Sequence, residues 1–309
     1  MIKPNNVLHG DATQATLVCA MKLMFLMWLV RYLIDPIEQI SALPVEISSP
    51  VSLLALFSPS LFEACHSYAF LLIVKLVIVA CCLAVWVPRL RMPAALVGVL
   101  ALTLIAAITR GFGHINHAEL GPLLVTWVLT LYAMKLPIEA VQYPNREAGD
   151  PIASTALVTS LIVFCLAYSL VGVTRLTTGG MELLVGDTIP NRMIQMSYHD
   201  SLFSFNFANT VLSNWWALLA LKVGTAAVTI FELFAPVCLI SRKFRWLFLA
   251  VMPGFHIGAI VLFKIDFIEN IIVMGILLTG FTGWLASHHW SRLNQNQLAL
   301  RQNRYNSAP

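Results

Sequence analysis

Long apolar runs alternate with short polar breaks along this chain, and that alternation predicts helices. About eight stretches, at 14–34, 66–87, 94–110, 118–138, 152–173, 215–240, 246–264 and 269–287, approach the roughly 20 apolar residues a helix needs to cross a bilayer. The polar segments between them are short. The pattern therefore predicts an all-α fold, a polytopic transmembrane helical bundle of about eight spanning helices forming one domain over 1–290. A polar, basic tail follows at 291–309. Segment 201–213 (SLFSFNFANTVLS) is apolar but too short to cross, which predicts an interfacial or re-entrant element between spans five and six. Met1 to Thr13 is polar with a single lysine, and no small-residue cleavage site follows the first apolar run. That run is expected to stay as a span rather than leave as a signal peptide.

Composition sharpens the picture. Of 309 residues, 59% are hydrophobic and only 11% charged, with a mean hydropathy of +0.80, which excludes two ordinary soluble domains. The net charge of +4 comes with no basic stripe interleaved with aromatics, so nucleic acid is not an expected partner. The charge reads instead as membrane orientation. Arg89 and Arg91, the run Arg242-Lys243-Phe244-Arg245 and the basic tail fall on one side, which predicts a multi-pass protein of a cell membrane with both termini cytoplasmic, as in a bacterial inner membrane. Cys19, Cys65, Cys81, Cys82, Cys165 and Cys238 lie mostly within apolar runs without CxxC spacing, and read as small buried hydrophobes.

Candidate chemistry stands out against this apolar background. Lys22, Lys75, Lys222, Glu232 and His256 each sit inside an apolar run, where an ionisable group is a functional hypothesis by default. The densest polar cluster is Arg110-Gly-Phe-Gly-His114-Ile-Asn116-His117-Ala-Glu119, placed by the topology at the outer mouth of the bundle. Its imidazoles suit proton transfer near neutral pH, Asn116 suits orientation and Arg110 suits an anion. The plain alternative is a polar interfacial loop. A metal site from His114, His117 and Glu119 lacks the helical i, i+4 pairing and a second ligand group. Glu232 precedes Pro236 and is either a proton carrier, the partner of a buried lysine such as Lys75, or a structural hydrogen bond between helices. His256 follows Pro253-Gly254-Phe255, of which the proline and glycine disturb helix packing, and is either a site residue or a hydrogen-bonded structural histidine.

Four stretches together resemble the HTTM transmembrane domain related to vitamin K-dependent gamma-carboxylase. They are Asn116-His117 before a leucine-rich span, Gly172-Val173-Thr174-Arg175-Leu176 followed by Gly-Gly-Met-Glu-Leu-Leu-Val-Gly, Phe231-Glu232-Leu-Phe-Ala-Pro236 with Arg242 to Arg245, and Phe255-His256. The resemblance covers about residues 14 to 287. It implies a helical bundle whose carboxylase relatives bind a reduced membrane quinone from the non-cytoplasmic side. It also implies that His117 and His256 occupy the family's site positions. The relatives' catalytic lysine falls where this chain has Arg175. A guanidinium stays charged and is no general base, so Arg175 is expected to hold an anionic or polarised oxygen instead. The chain also stops at the membrane domain, without the carboxylases' large extramembrane portion, so gamma-glutamyl carboxylation is not expected.

Three functions remain open on the sequence. The first is a membrane protein that binds a quinone-like or other lipophilic ligand, with His117, His256 and Arg175 in catalytic roles and Arg110, His114, Asn116 and Glu232 as ligand contacts. A membrane quinone is then the one cofactor candidate, and the lipid bilayer and a lipophilic small molecule are the partners. The second is a non-catalytic module that assembles with or matures a membrane or exported protein. The third is a small-molecule transporter using Lys75, Glu232 and His256, although the two halves show no convincing repeat.

Overall fold

The structure is a computed structural model that describes residues 13–49, 58–112, 117–142, 144, 150–180, 182, 186–197, 208–263 and 267–279; the side chains at 117, 118, 192, 195–197 and 208 are not among them. Every regular element among the described residues is helical. The helices are α1 (Gln14–Ile34), α2 (Pro59–Cys65), α3 (Tyr68–Ala84), α4 (Arg91–Gly111), α5 (His117–Ala133) and α6 (Ile138–Gln142). They continue as α7 (Pro151–Thr174), α8 (Thr188–Ser197), α9 (Ala208–Leu212), α10 (Trp215–Leu233), α11 (Arg242–Phe263) and α12 (Ile268–Leu278). The all-α reading holds, and all eight apolar stretches carry a helix. Five helices are long and apolar enough to cross a membrane: α1, α4, α7 with its continuation to Gly179, α10 and α11. The pair α2 and α3, bent by 62°, makes a sixth if the two count as one span.

Among the described residues, five or six of the eight expected spans therefore reach spanning length. Helix α5 has 17 residues, about 25 Å at 1.5 Å per residue, and carries Pro122 inside it. Helix α12 has 11 described residues, and the rest of the stretch expected to 287 lies outside the described residues. Of the expected interfacial segment 201–213, only 208–213 is described, as the short α9 and a turn.

Local sequence explains where the helices start. Thr13 caps α1 through a reciprocal box with Thr16, and Asp150 caps α7 by accepting from the Ala153 amide ahead of Pro151 at the first position. Gln14 donates to Asp150 at 2.9 Å, which pins the starts of α1 and α7 to the same end of the bundle. At that end Arg91 is fully buried and donates to the carbonyls of Val85 and Val141. It gives partners to C-terminal carbonyls of α3 and α6 that their own helices leave over.

Helix α7 is the spine. Its first half packs on α5, with Tyr132 facing Thr159 and Phe164 lying over Gly121. Its second half packs on α10, where the Ser169 hydroxyl donates to the Leu233 carbonyl at 3.0 Å. The α10–α11 turn, Ala235–Leu239, packs beside Cys165 of α7, about 21 Å along the helix from Pro151. Arg245 donates to the Cys238 carbonyl in this turn.

Gly172 makes this docking possible. A Cβ there would stand 2.7 Å from the Leu233 amide nitrogen and 3.0 Å from the Thr229 carbonyl oxygen, so only glycine lets α7 and α10 approach this closely. At Gly224, on the same helix α10, a Cβ meets nothing within 4 Å. Gly172→Ala is expected to destabilise the protein by about 1–3 kcal/mol through overpacking, and Gly224→Ala to leave it unchanged or stabilise it by about 0.4–1 kcal/mol. Thermal unfolding of both variants in the same detergent checks the contrast.

Candidate functional site

Two polar centres lie inside the bundle. The first gathers three of the residues singled out in the sequence. Tyr168, Gly172 and Arg175 fall at i, i+4 and i+7 and so share one face of α7 as it passes into a π-helical turn over Arg175–Gly179. The close approach at Gly172 brings α10 alongside, and Arg175 Nη1 donates to Glu232 Oε2 at 2.6 Å. Glu232 is buried at 2% exposure, while 27% of the Arg175 side chain remains accessible. The pair therefore bridges the bundle interior and its edge.

His256 is buried on α11, one turn after Pro253. Its Nε2 lies 2.5 Å from the Tyr168 hydroxyl, and its ring packs against Phe267 at 4.7 Å. The neighbouring Phe255 ring lies beneath the Arg175 guanidinium at 5.7 Å, so one aromatic side chain separates the imidazole from the ion pair. His256 Nδ1 is buried and has no hydrogen-bond partner among the described residues. A neutral imidazole carries one donor and one acceptor nitrogen, so whichever role Nε2 takes with Tyr168, Nδ1 presents the opposite one. Such a nitrogen can give a proton to, or take one from, an oxygen placed beside it.

The second centre was not recognised from the sequence. Arg31, in the last turn of α1, donates to three carboxylates: Glu269 Oε1 at 2.7 Å, Glu119 Oε1 at 3.0 Å and Asp35 Oδ2 at 3.2 Å. These come from the start of α12, the start of α5 and the cap of α1. Glu119 and Glu269 in first helical turns and Arg31 in a last turn each complement the helix dipole, so these three are favourable locally as well as pairwise. Beside it, between α1 and α12, lies a cavity of about 700 Å³. Leu23, Leu26, Met27, Ile272 and Ile276 form its apolar walls, and Arg31, Asp35 and Glu269 its polar end. The two centres meet at one short stretch of chain: the Phe267 ring packs at a tilt against His256, and Ile268 and Glu269 line the cavity.

The remaining sequence candidates divide. His114 and Asn116 lie outside the described residues, as does the side chain of His117, whose backbone begins α5 two residues before Glu119. Arg110 is half-buried in the last turn of α4 and belongs to neither centre among the described residues. Arg175 is held by Glu232, which compensates its charge. The suggested Lys75–Glu232 pair does not form. Lys75 reaches Glu38 at 3.0 Å, because α3 packs on the turn Ile37–Ala42 rather than on α10. Lys22 lies over the Trp86 ring at 5.1 Å, and Lys222 donates to the Gly186 carbonyl at 2.8 Å. No group of three His, Cys, Asp or Glu side chains among the described residues is arranged to hold a metal ion. The six cysteines are free thiols, five of them buried.

Comparison of the chain with models of protein families, with curated proteins and with solved structures finds no match. Fold and site therefore speak for themselves: an all-α chain with five helices fit for a multi-pass membrane protein, carrying two interior polar centres.

The pairs predict a specific pattern of energetics. Arg175→Met leaves the Glu232 carboxylate buried without its partner and is expected to cost about 3–5 kcal/mol, whereas Arg175→Met with Glu232→Leu recovers most of that loss. A double-mutant cycle by thermal unfolding reads the coupling.

The Glu38–Lys75 pair predicts a pH effect. The Glu38 carboxyl is held below its ordinary value by its own backbone amide and then by the Lys75 ammonium. A depressed folded-state value gives stability that is present above the unfolded-state value and lost as pH falls through the folded one. Between neutrality and a pH below the ordinary glutamate value of about 4.3, wild-type protein should lose more thermal stability than Glu38→Gln. Equal losses contradict the pairing.

Proposed function

We propose that this is a multi-pass membrane protein that binds a quinone-like or other lipophilic ligand in a site open to the non-cytoplasmic side, without carboxylase activity. The cavity between α1 and α12 carries the reading: it is apolar along its walls and ends on an ion cluster, and its volume of about 700 Å³ falls within the 300–1,000 Å³ usual for small-molecule sites. The arrangement of the first polar centre supports a chemical role beside it. His256 and Tyr168 form a neutral pair able to exchange a proton with a ligand oxygen, and Arg175 with Glu232 sets the field around it. Likeness to the HTTM domain, the count of eight spans and cytoplasmic termini belong to the same proposal, resting on the sequence motifs and the distribution of Lys and Arg. The arginine at position 175 supports the exclusion of carboxylation, since it cannot serve as the base.

A second reading, a non-catalytic module that assembles with another membrane or exported protein, is favoured by one observation. Helix α10 presents Trp215, Trp216, Leu219, Val223 and Ile230 outward, with open space beside Gly224. Small and apolar residues on one outward helix face suit packing against another helix in lipid.

Mass spectrometry of organic extracts from protein purified in mild detergent separates the two. The first reading expects an isoprenoid-like lipophile with wild type and with His256→Ala, and a spectral change on adding a reduced membrane quinone to wild type that His256→Ala loses. Absence of any bound lipophile in wild type contradicts it and leaves the module.

A further inference from the structure

We propose that the cavity between α1 and α12 selects a single-chain lipophile whose head donates hydrogen bonds and carries no negative charge. This rests on the reading of the protein as lipophile-binding and names the class of ligand and the residues that choose it.

The shape sets the chain. The walls run along α1 from Leu23 to Ile34, about 16 Å of helix, which is close to half the hydrocarbon thickness of a bilayer. A chain lying there enters from one leaflet with its head at the Arg31 end. Gly275 lies in the wall contributed by α12, and a Cβ there meets nothing within 4 Å, so the groove has room along this face.

The ion cluster sets the head. Each of three guanidinium nitrogens of Arg31 already donates to a different carboxylate, and two of those carboxylates, Asp35 and Glu269, line the cavity. An anionic head has to share Arg31 with three carboxylates and lie beside them in a medium of low dielectric. A hydroxyl or ammonium head meets the opposite situation. An ionised carboxylate has about four acceptor positions, so Asp35 and Glu269 can accept from a ligand while keeping Arg31. Arg31 then acts as the group that holds the carboxylates in place, and Asp35 and Glu269 as the groups that read the head.

The test uses the full chain in phosphatidylcholine vesicles with three photoreactive probes of equal chain length: a long-chain alcohol, the corresponding amine and the corresponding phosphate monoester. After irradiation, labelled peptides are mapped by mass spectrometry. The alcohol or the amine is expected to label the α1 and α12 peptides at least about tenfold more than the phosphate, since like charges oppose the latter. Gly275→Phe, which fills the groove, is expected to remove that labelling. Asp35→Asn is expected to raise phosphate labelling, a gain that a misfolded protein would not show. The alcohol-to-amine ratio then tells whether hydrogen bonding or charge dominates, and either supports the proposal. Labelling by the phosphate equal to that by the other probes, or labelling unchanged in Gly275→Phe, overturns it. A lipophile that copurifies with the protein while the probes spread evenly over all helices removes this site but leaves the lipophile reading. No copurifying lipophile ends that reading itself.

Discussion

A charge inside a helical bundle that faces lipid must find an opposite charge or hydrogen-bonding partners, because the surroundings supply no water to do so. That requirement organises this molecule. Arg31 draws together the last turn of α1 and the first turns of α5 and α12, three helices that share no neighbouring sequence. Arg175 and Glu232 do the same for α7 and α10, and Lys75 fastens α3 to the turn after α1. Apolar side chains against lipid carry little preference for one neighbour over another. Pairs of this kind therefore fix which helices meet and at what height.

Close backbone approach makes the pairs geometrically attainable. Gly172 removes the side chain that would hold α10 away from α7, and Arg175 lies one turn further along the same face. Tyr168 lies one turn earlier on it and meets His256 of α11. One helical face with the sequence Tyr-x-x-x-Gly-x-x-Arg thus organises the contacts of two other helices. The α10–α11 hairpin rides on the second half of α7 as a result, and its turn lies beside Cys165 rather than beside Pro151.

Much of this was legible in the chain. Apolar runs of helical length mark the long helices to within a few residues, except that the run expected at 215–240 breaks after Leu233, where the turn Ala235–Leu239 with Pro236 follows α10. The isolated charges and the histidine in those runs pointed to an interior polar site, and Arg175, Glu232 and His256 do lie around one another. What escaped was adjacency. Glu119 stood out only as part of the polar cluster 110–119, and nothing in a linear pattern says that it meets Arg31 and Glu269 from two other helices. The same gap led to pairing Lys75 with Glu232 on depth alone. Tyr168 gave even less signal, because a tyrosine in an apolar helix reads as an ordinary core aromatic until its hydroxyl is seen to face an imidazole.

Arg31 joins α1, α5 and α12 through three carboxylates and so builds the polar end of the cavity between α1 and α12. An electron cryomicroscopy map of the protein in a lipid nanodisc, at a resolution that shows side chains, tests this most directly. The account predicts the Arg31 guanidinium within hydrogen-bonding distance of both Glu119 and Glu269, with elongated density running between α1 and α12 away from it. An Arg31 side chain turned toward the lipid headgroups, with Glu119 and Glu269 apart from it and α12 packed flush against α1, would contradict it.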